Sequence, residues 1–391
     1  MNNRNPAERR SRFLPIAWNC LVNRRSPMGL IHFVTNRCNA KCAHCFHGYG
    51  REVEQTARTG LFSHPGDAEL RLDELEQLAR HLGPCLFNVN LSGGEPFLRE
   101  DLEAIGRAYL GLGGAASLFV STNGSFPERA LSLARMVAVE YPDRVLFLSI
   151  SLDDLPERHD RARGIPGLFE NALATYHRAR EVASNVRCLI NLTVSEYNYR
   201  SAAAAYHHLI RDCGVRNLTL GMARNEGFYT ASKGLEAEVL ATLEAVQGFL
   251  RKDRRAGRLE SPSEASGLLA TMHEAKNRLQ TQFLENQRRQ PGYVLACRAA
   301  ALFGILGPSG EVFPCELVPR SLGNVRDYYY EFIDLWHDSK AEAMRTWIAT
   351  TRCHCTYECA WTYNLLADWG CLGAMAGLGL CTRIGRPRTD G

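Results

Sequence analysis

Between residues 29 and 224, short apolar runs alternate with stretches in which apolar side chains recur every three to four positions. The runs 30–35, 86–91, 117–121, 145–151, 186–194 and 217–222 have the length and β-branched content of strands. Arg71 to His81 places Leu72, Leu75, Leu78 and Leu82 on a helical period, and 102–110 does the same. Strands alternating with helices predict parallel pairing, so the expected fold is α/β, a curved six-stranded partial (β/α)6 TIM-like barrel.

Two of these runs are two-faced. In 86–92, Phe87, Val89 and Leu91 alternate with Asn88, Asn90 and Ser92; in 145–153, Leu146, Leu148, Ile150 and Leu152 alternate with Ser149, Ser151 and Asp153. A packed eight-stranded barrel fills its interior with branched apolar residues, so a polar inner face predicts a roomier lumen that holds solvent or ligand. The competing arrangement is an antiparallel sheet with that face outward.

A chain of 391 residues exceeds the usual size of one core, which predicts a large domain and a smaller one. Residues 1–28 read as an extension, 29–230 as the core, 231–290 as a charged helical bridge broken at Ser261-Pro262-Ser263, and 291–391 as a cysteine-rich domain with a glycine-rich tail. Residues 47–70 form a long insertion with several glycines, of the kind that builds lids or partner-binding segments. The net charge of +4 is small for this length, and the run from Lys252 to Arg258 reads as a solvated helix face, so nucleic acid is not an expected partner. No run reaches 18 apolar residues and no h-region opens the chain, so the expectation is a cytoplasmic protein without a membrane partner.

Fourteen cysteines in a reducing compartment point to metal where they cluster. Cys38, Cys42 and Cys45 follow the first strand closely, and Cys297, Cys315, Cys353, Cys355 and Cys359 gather in the last quarter. Cys20, Cys85, Cys188 and Cys213 are scattered and read as packed thiols. Three thiolates from one loop can hold three irons of a cubane and leave the fourth open. A structural zinc is the alternative, with His32, His44 or His47 as fourth ligand.

The CxxxCxxC spacing, followed by Gly93-Gly94-Glu95-Pro96 at the end of the second strand, resembles the radical S-adenosylmethionine (SAM) enzymes. That resemblance implies a [4Fe-4S] cluster on Cys38, Cys42 and Cys45 whose open iron chelates SAM, and reductive cleavage of SAM to a 5′-deoxyadenosyl radical that abstracts hydrogen from substrate. It further implies contacts to SAM from Gly93, Gly94, Glu95 and Pro96, and from Thr122 and Ser151 at the ends of the third and fourth strands. Asn191 and Thr193 are candidates for the adenosine, and Arg161 or Arg163 for a carboxylate. Most family members carry an aromatic ring just before the third cysteine; here the residue is His44. A reductant such as flavodoxin or ferredoxin is the implied electron donor.

The last quarter is similar to the SPASM and twitch extensions of that family, which hold auxiliary [4Fe-4S] clusters. Gly310-Glu311-Val312-Phe313-Pro314-Cys315 resembles their hairpin, with Gly310 in the turn, and Cys355-x-x-x-Cys359 the end of their pattern. Cys297, Cys315, Cys359 and either Cys353 or Cys355 then suffice for one cluster. With Cys371 and Cys381 the region holds seven cysteines, one short of two full sets, which favours one auxiliary cluster; a zinc ribbon is the alternative. The implied substrate is a peptide or protein side chain, or a small molecule, with net oxidation or bond formation. Asp153, Asp154, Arg224 and Glu226 stand near predicted strand ends as candidates for a base, and no catalytic residue is assigned. A non-enzymatic iron–sulfur or zinc scaffold is the competing function.

Overall fold

The computed structural model describes residues 14–45, 68–223, 234–260 and 268–380. Six parallel strands lie side by side in chain order: β1 (Gly29–Thr35), β2 (Asn88–Gly93), β3 (Ser117–Thr122), β4 (Val145–Ser151), β5 (Val186–Val194) and β6 (Leu218–Met222). Each falls within two residues of its predicted limits. The helices between them are α1 (Leu72–Arg80), α2 (Leu102–Arg107), α3 (Pro127–Glu140), α4 (Pro156–Arg163), α5 (Leu168–Arg180) and α6 (Ala202–Arg211).

The alternation along the strands separates two faces. Val89 and Leu91 of β2 and Leu146, Leu148 and Ile150 of β4 are fully buried in the main core, while Asn88, Asn90 and Ser92 are half-buried on the opposite face. On that face Phe119 and Phe147, paired in register across β3 and β4, stack with centroids 6.0 Å apart. Because all six strands run parallel, the antiparallel alternative for the polar face falls away. The polar set lines the concave side of a partial barrel.

Beyond β6 come two long helices, α7 (Glu236–Arg255) and α8 (Leu268–Arg289). The chain then returns to the sheet. Strand β7 (Phe303–Leu306) pairs in parallel with β1, placing Ile305 beside Ile31, and β8 (Glu311–Phe313) and β9 (Gly323–Asn324) continue antiparallel. The result is one nine-stranded sheet in which β7 covers what would be an exposed edge of β1. The hairpin turn predicted around Gly310 is present, with Gly310 at φ +100° and Gly307 N–H donating to Glu311 O at 2.7 Å.

Four helices finish the described chain: α9 (Phe332–His337), α10 (Ser339–Thr350), α11 (Glu358–Leu366) and α12 (Trp369–Leu380). Phe283 of α8 stacks on Trp361 of α11 at 5.5 Å. A buried carboxylate ties the start of the barrel to this region. Glu74 of α1 accepts from Arg326 Nε at 2.8 Å, Tyr330 Oη at 2.7 Å and the Arg71 N–H at 2.8 Å. Among the described residues no helix is long and apolar enough to cross a membrane.

Candidate iron–sulfur and SAM site

The cysteine loop leaves β1 at the carboxyl-terminal mouth of the barrel and is fastened there by two neighbouring strand ends and the end of a helix. From β2, Gly94 N–H donates to Thr35 O at 2.8 Å and Glu95 N–H to Arg37 O at 2.9 Å. From β3, Asn123 Nδ2 donates to Asn39 Oδ1 at 2.9 Å. From α4, the Arg163 carbonyl accepts from Lys41 N–H at 2.9 Å. A Cβ on Gly93 would run into Thr35 O and one on Gly94 into Arg37 O, and Gly93 also sits at φ +122°. Both glycines therefore serve the approach of the cysteine loop's own backbone.

Within the loop, Ala40 N–H donates to Cys38 Sγ at 3.4 Å and Cys45 N–H to Cys42 O at 3.1 Å. The three half-buried thiols are close enough to act on one another. Burial, with added effects from Glu95, Cys42 and Cys45, pushes the Cys38 thiol up to about 11, and burial also raises Cys42. Thiols held this way gain most from a bound cationic centre that stabilises their thiolates.

Glu95 is the buried hub of the second motif. Its carboxylate accepts from Phe97 N–H at 3.1 Å, Thr122 Oγ1 at 2.8 Å and Asn123 N–H at 2.7 Å. Burial raises it to about 7 against the pull of those three donors. Thr122, assigned above to SAM by resemblance, gives its proton to Glu95 and accepts from Gly124 N–H at 3.0 Å. Its hydroxyl is thus committed to the loop's scaffold. Ser151 is half-buried at the end of β4 beside Asn191 in register, and Asn191 Nδ2 donates to Thr193 Oγ1 at 3.1 Å.

Beside the cysteines lies a buried ion pair. Arg163 donates from Nε and Nη2 to Asp153 Oδ2 at 3.1 and 2.5 Å, while Arg161 is exposed. Burial opposes ionisation of Asp153, but Arg163 and His44 hold its carboxyl well below the usual carboxylate range. Arg163 also faces the Cys42 and Cys45 thiols. An aspartate so firmly ionised and paired is a poor base, and Asp154 is likewise engaged by Arg158 at 3.0 Å and Ser201 at 2.9 Å. Arg224, Glu226 and most of the insertion lie outside the described residues. Sequence reading missed Asn198, whose side chain bonds Asp153 O at 2.6 Å and Thr193 O at 2.8 Å; the Ser195-x-x-Asn198 turn is the local trace of it.

His44 Nε2 stands 3.5 Å from Asp153 Oδ2, and its ring is tilted against Tyr197 at 6.4 Å. His32 is turned to the helical side of β1, where its Nδ1 meets Tyr109 Oη at 2.9 Å. Each of these histidines thus has one ring nitrogen engaged away from the cysteines, and His47 lies outside the described residues. Among the described residues no three His, Cys, Asp or Glu side chains converge as on a single ion. The three-thiol donor set fits a cluster, which spreads its ligands over separate irons, better than a tetrahedral zinc.

A second group of cysteines surrounds a cavity of about 290 Å³. Cys297, Cys315, Cys353 and Cys355 all line it, together with Leu317 and Tyr357. Cys297 donates a hydrogen bond to Cys353, which lowers Cys353 and raises Cys297, and burial pushes Cys315 up to about 11. Both Cys353 and Cys355 are therefore present where the sequence reading called for one. Cys359 is not among the lining residues and faces Lys276 and Tyr363. Cys371 packs with Ala275, Leu365 and Met375 in an apolar cluster, and Cys381 lies outside the described residues. Cys20, Cys85 and Cys188 are buried and raised by burial, as packed thiols are.

Fold and site together define an α/β partial-barrel protein with a three-cysteine loop at its mouth. Residues 33–208 match the model of the Radical SAM superfamily, a family whose members use a [4Fe-4S] cluster and SAM. The chain is 25% identical over 316 residues to the AdoMet-dependent heme synthase of Methanosarcina barkeri (strain Fusaro / DSM 804), covering 78% of this chain and 81% of that one. It is 28% identical over 174 residues to the Fe-coproporphyrin III synthase of the same organism, 44% of this chain but only 38% of the relative's length. Of solved structures, native anSMEcpe with bound AdoMet matches with a TM-score of 0.55 at 17% identity, over 81% of this chain and 82% of that chain. Streptococcus suis SuiB bound to precursor peptide SuiA matches at 0.56 and 16% identity, over 88% of this chain and 73% of that chain. These structural likenesses establish the shared fold.

Proposed function

We propose that this protein reductively cleaves SAM and uses the resulting radical to abstract hydrogen from a substrate bound in the polar lumen. The observation that carries the reading is the fastening of the Cys38–Cys42–Cys45 loop to the Gly93–Pro96 turn by paired backbone hydrogen bonds, which sets three thiols at the mouth of the barrel. Those three cysteines would hold the [4Fe-4S] cluster. When bound, that cluster supplies the electron that splits SAM into methionine and a 5′-deoxyadenosyl radical.

The chain's own residues prepare the place. Glu95, Thr122 and Asn123 lock the turn whose backbone would border the methionine end of SAM. Arg163, held in place by Asp153, sets its guanidinium beside Cys42 and Cys45. Ser151, Asn191 and Thr193 present hydroxyl and amide groups on the inner strand ends for the nucleoside. Residues 29–230 form the catalytic core, 231–290 a helical bridge, and 291–391 a SPASM/twitch-like region in which Cys297, Cys315, Cys353 and Cys355 would hold one auxiliary cluster. The substrate is a peptide or a small molecule, and a flavodoxin- or ferredoxin-type reductant supplies the electron.

Anaerobic reconstitution with iron and sulfide, reduction, and addition of SAM tests this reading. 5′-Deoxyadenosine forms in the native protein and is abolished in Cys42→Ala. A scaffold or electron relay yields none in either.

A further inference from the structure

Residues paired in register along a sheet share a face, so the register ranks the side chains of the lumen by depth. The deepest layer runs through Phe303, Gly29, Asn88 and Ser117. Tyr363 of α11 closes it: its ring stacks on Phe303 at 5.0 Å, and its hydroxyl stands over Gly29 and shares a hydrogen bond with the Asn88 side chain. Asn88 Oδ1 also accepts from Ser117 Oγ at 2.9 Å, so the polar groups of this floor are matched to one another.

One layer nearer the mouth, Ile31, Asn90, Phe119 and Phe147 stand in register across four neighbouring strands. Here the amide is not matched. Asn90 Oδ1 is buried without a hydrogen-bond partner, and the side chains beside it in the layer, Ile31 and Phe119, have no donor to give. A buried acceptor left so is costly, and a donor on a ligand removes the cost. Phe119 and Phe147 continue the layer as a stacked pair, centroids 6.0 Å and planes 27° apart. Both rings are only half-buried, whereas Leu118, Val120, Leu146 and Leu148 on the helical side of the same strands are fully buried. Rings left partly open toward the lumen favour a flat aromatic partner over a saturated one of equal size. In the next layer toward the mouth, Ser121 and Ser149 stand in register and turn the wall from apolar to hydroxylic.

We propose that the lumen receives an aromatic ring that carries its own O–H or N–H donor, a phenol or a pyrrole- or indole-type ring. The ring lies against Phe119 and Phe147, its donor bonds Asn90 Oδ1, and the rest of the substrate leads past Ser121 and Ser149 toward the mouth. A tyrosine or tryptophan side chain of a peptide and a free aromatic compound share this chemistry. The proposal deepens the radical SAM reading and rests on it for placing substrate in the lumen; Asn90, Phe119 and Phe147 set specificity and take no part in the radical step.

The test is equilibrium dialysis with reconstituted full-length protein. p-Cresol is compared with p-methylanisole, which lacks the donor, and with methylcyclohexanol, which lacks the flat ring; a short peptide with one tyrosine is compared with its O-methyltyrosine counterpart. In native protein the phenol, free or in the peptide, binds about tenfold tighter than its O-methyl form, and p-cresol binds about fivefold tighter than methylcyclohexanol. The arm with the lower Kd names the source of the ring. Asn90→Leu brings phenol and ether within about twofold of each other, and Phe119→Leu removes the preference for the flat ring. The native comparison needs no variant, so it decides the matter even where a variant folds poorly. Equal binding of phenol and ether, equal binding of p-cresol and methylcyclohexanol, no binding in either arm, or a donor preference that survives Asn90→Leu overturns the proposal. The same preparation is assayed for 5′-deoxyadenosine. If that product is absent while the donor preference persists, the radical reading fails and the ring site stands; the reverse result removes the ring site alone.

Discussion

Thr122 donates to Glu95 Oε1 at 2.8 Å, joining the end of the third strand to the turn after the second. Both residues are almost fully buried, so the bond is made where water cannot replace it. Thr122→Val preserves shape but removes this donor, leaving Glu95 Oε1 with the Phe97 N–H, and also removes the acceptor of the Gly124 N–H. We expect a loss of about 1 to 3 kcal/mol in denaturant unfolding and a lower yield of 5′-deoxyadenosine. Unchanged stability would show that the loop does not depend on this bond.

Gly94→Ala places a methyl group against the Arg37 carbonyl at the entrance to the cysteine loop. The neighbour is backbone and cannot turn aside, so the loop must move. The expected result is about 1 to 3 kcal/mol of destabilisation and incomplete incorporation of the first cluster, seen as iron content falling short of the native protein. Full iron loading in this variant would argue against close docking of the two motifs.

Glu74 supplies a pH-dependent tie between α1 and the segment after β9. Burial alone would raise its pKa, but Arg326, the Arg71 N–H and Tyr330 together hold it down to about 2, against an ordinary 4.5. An acid with a lowered folded pKa contributes its stability above the unfolded value and loses it as pH falls through the folded one. The contribution is therefore whole above about pH 4.5 and fades toward pH 2. Because Arg326 is about a third exposed, we discount the full shift to about 2 kcal/mol. Unfolding of native protein and Glu74→Gln measured across this range should converge at the acid end and separate above it.

In the carboxyl-terminal cavity, Cys355→Ser and Cys359→Ser should behave differently. Cys355 lines the cavity with Cys297, Cys315 and Cys353, whereas Cys359 faces Lys276. Full loading of both sites corresponds to about eight irons. Cys355→Ser is expected to fall toward about four irons per chain, and Cys359→Ser to retain about eight. The opposite ranking would assign the ligand to Cys359.

The number and approximate limits of the six core strands follow from local periodicity. Val145–Ser151 and Val186–Val194 begin and end where alternation and β-branched content begin and end. The second strand starts two residues later than its apolar run because Met28 O, just before β1, accepts from both Phe87 and Asn88 N–H. The three-cysteine loop was equally legible, since the spacing of ligands within one turn is a property of the chain itself.

What the sequence by itself determined, then, was the βα alternation, the polar inner face and the clustering of thiols, because each depends on residues within a few positions of one another. Tertiary structure alone decided the partners of those residues. It gave Thr122 to Glu95, turned Gly93 and Gly94 toward the carbonyls of β1's exit, and folded β7 back onto an edge more than 260 residues earlier. It also drew Cys297, Cys315, Cys353 and Cys355 around one cavity. The physical reason is that such contacts are set by packing across the sheet, where distance along the chain carries no information about distance in space.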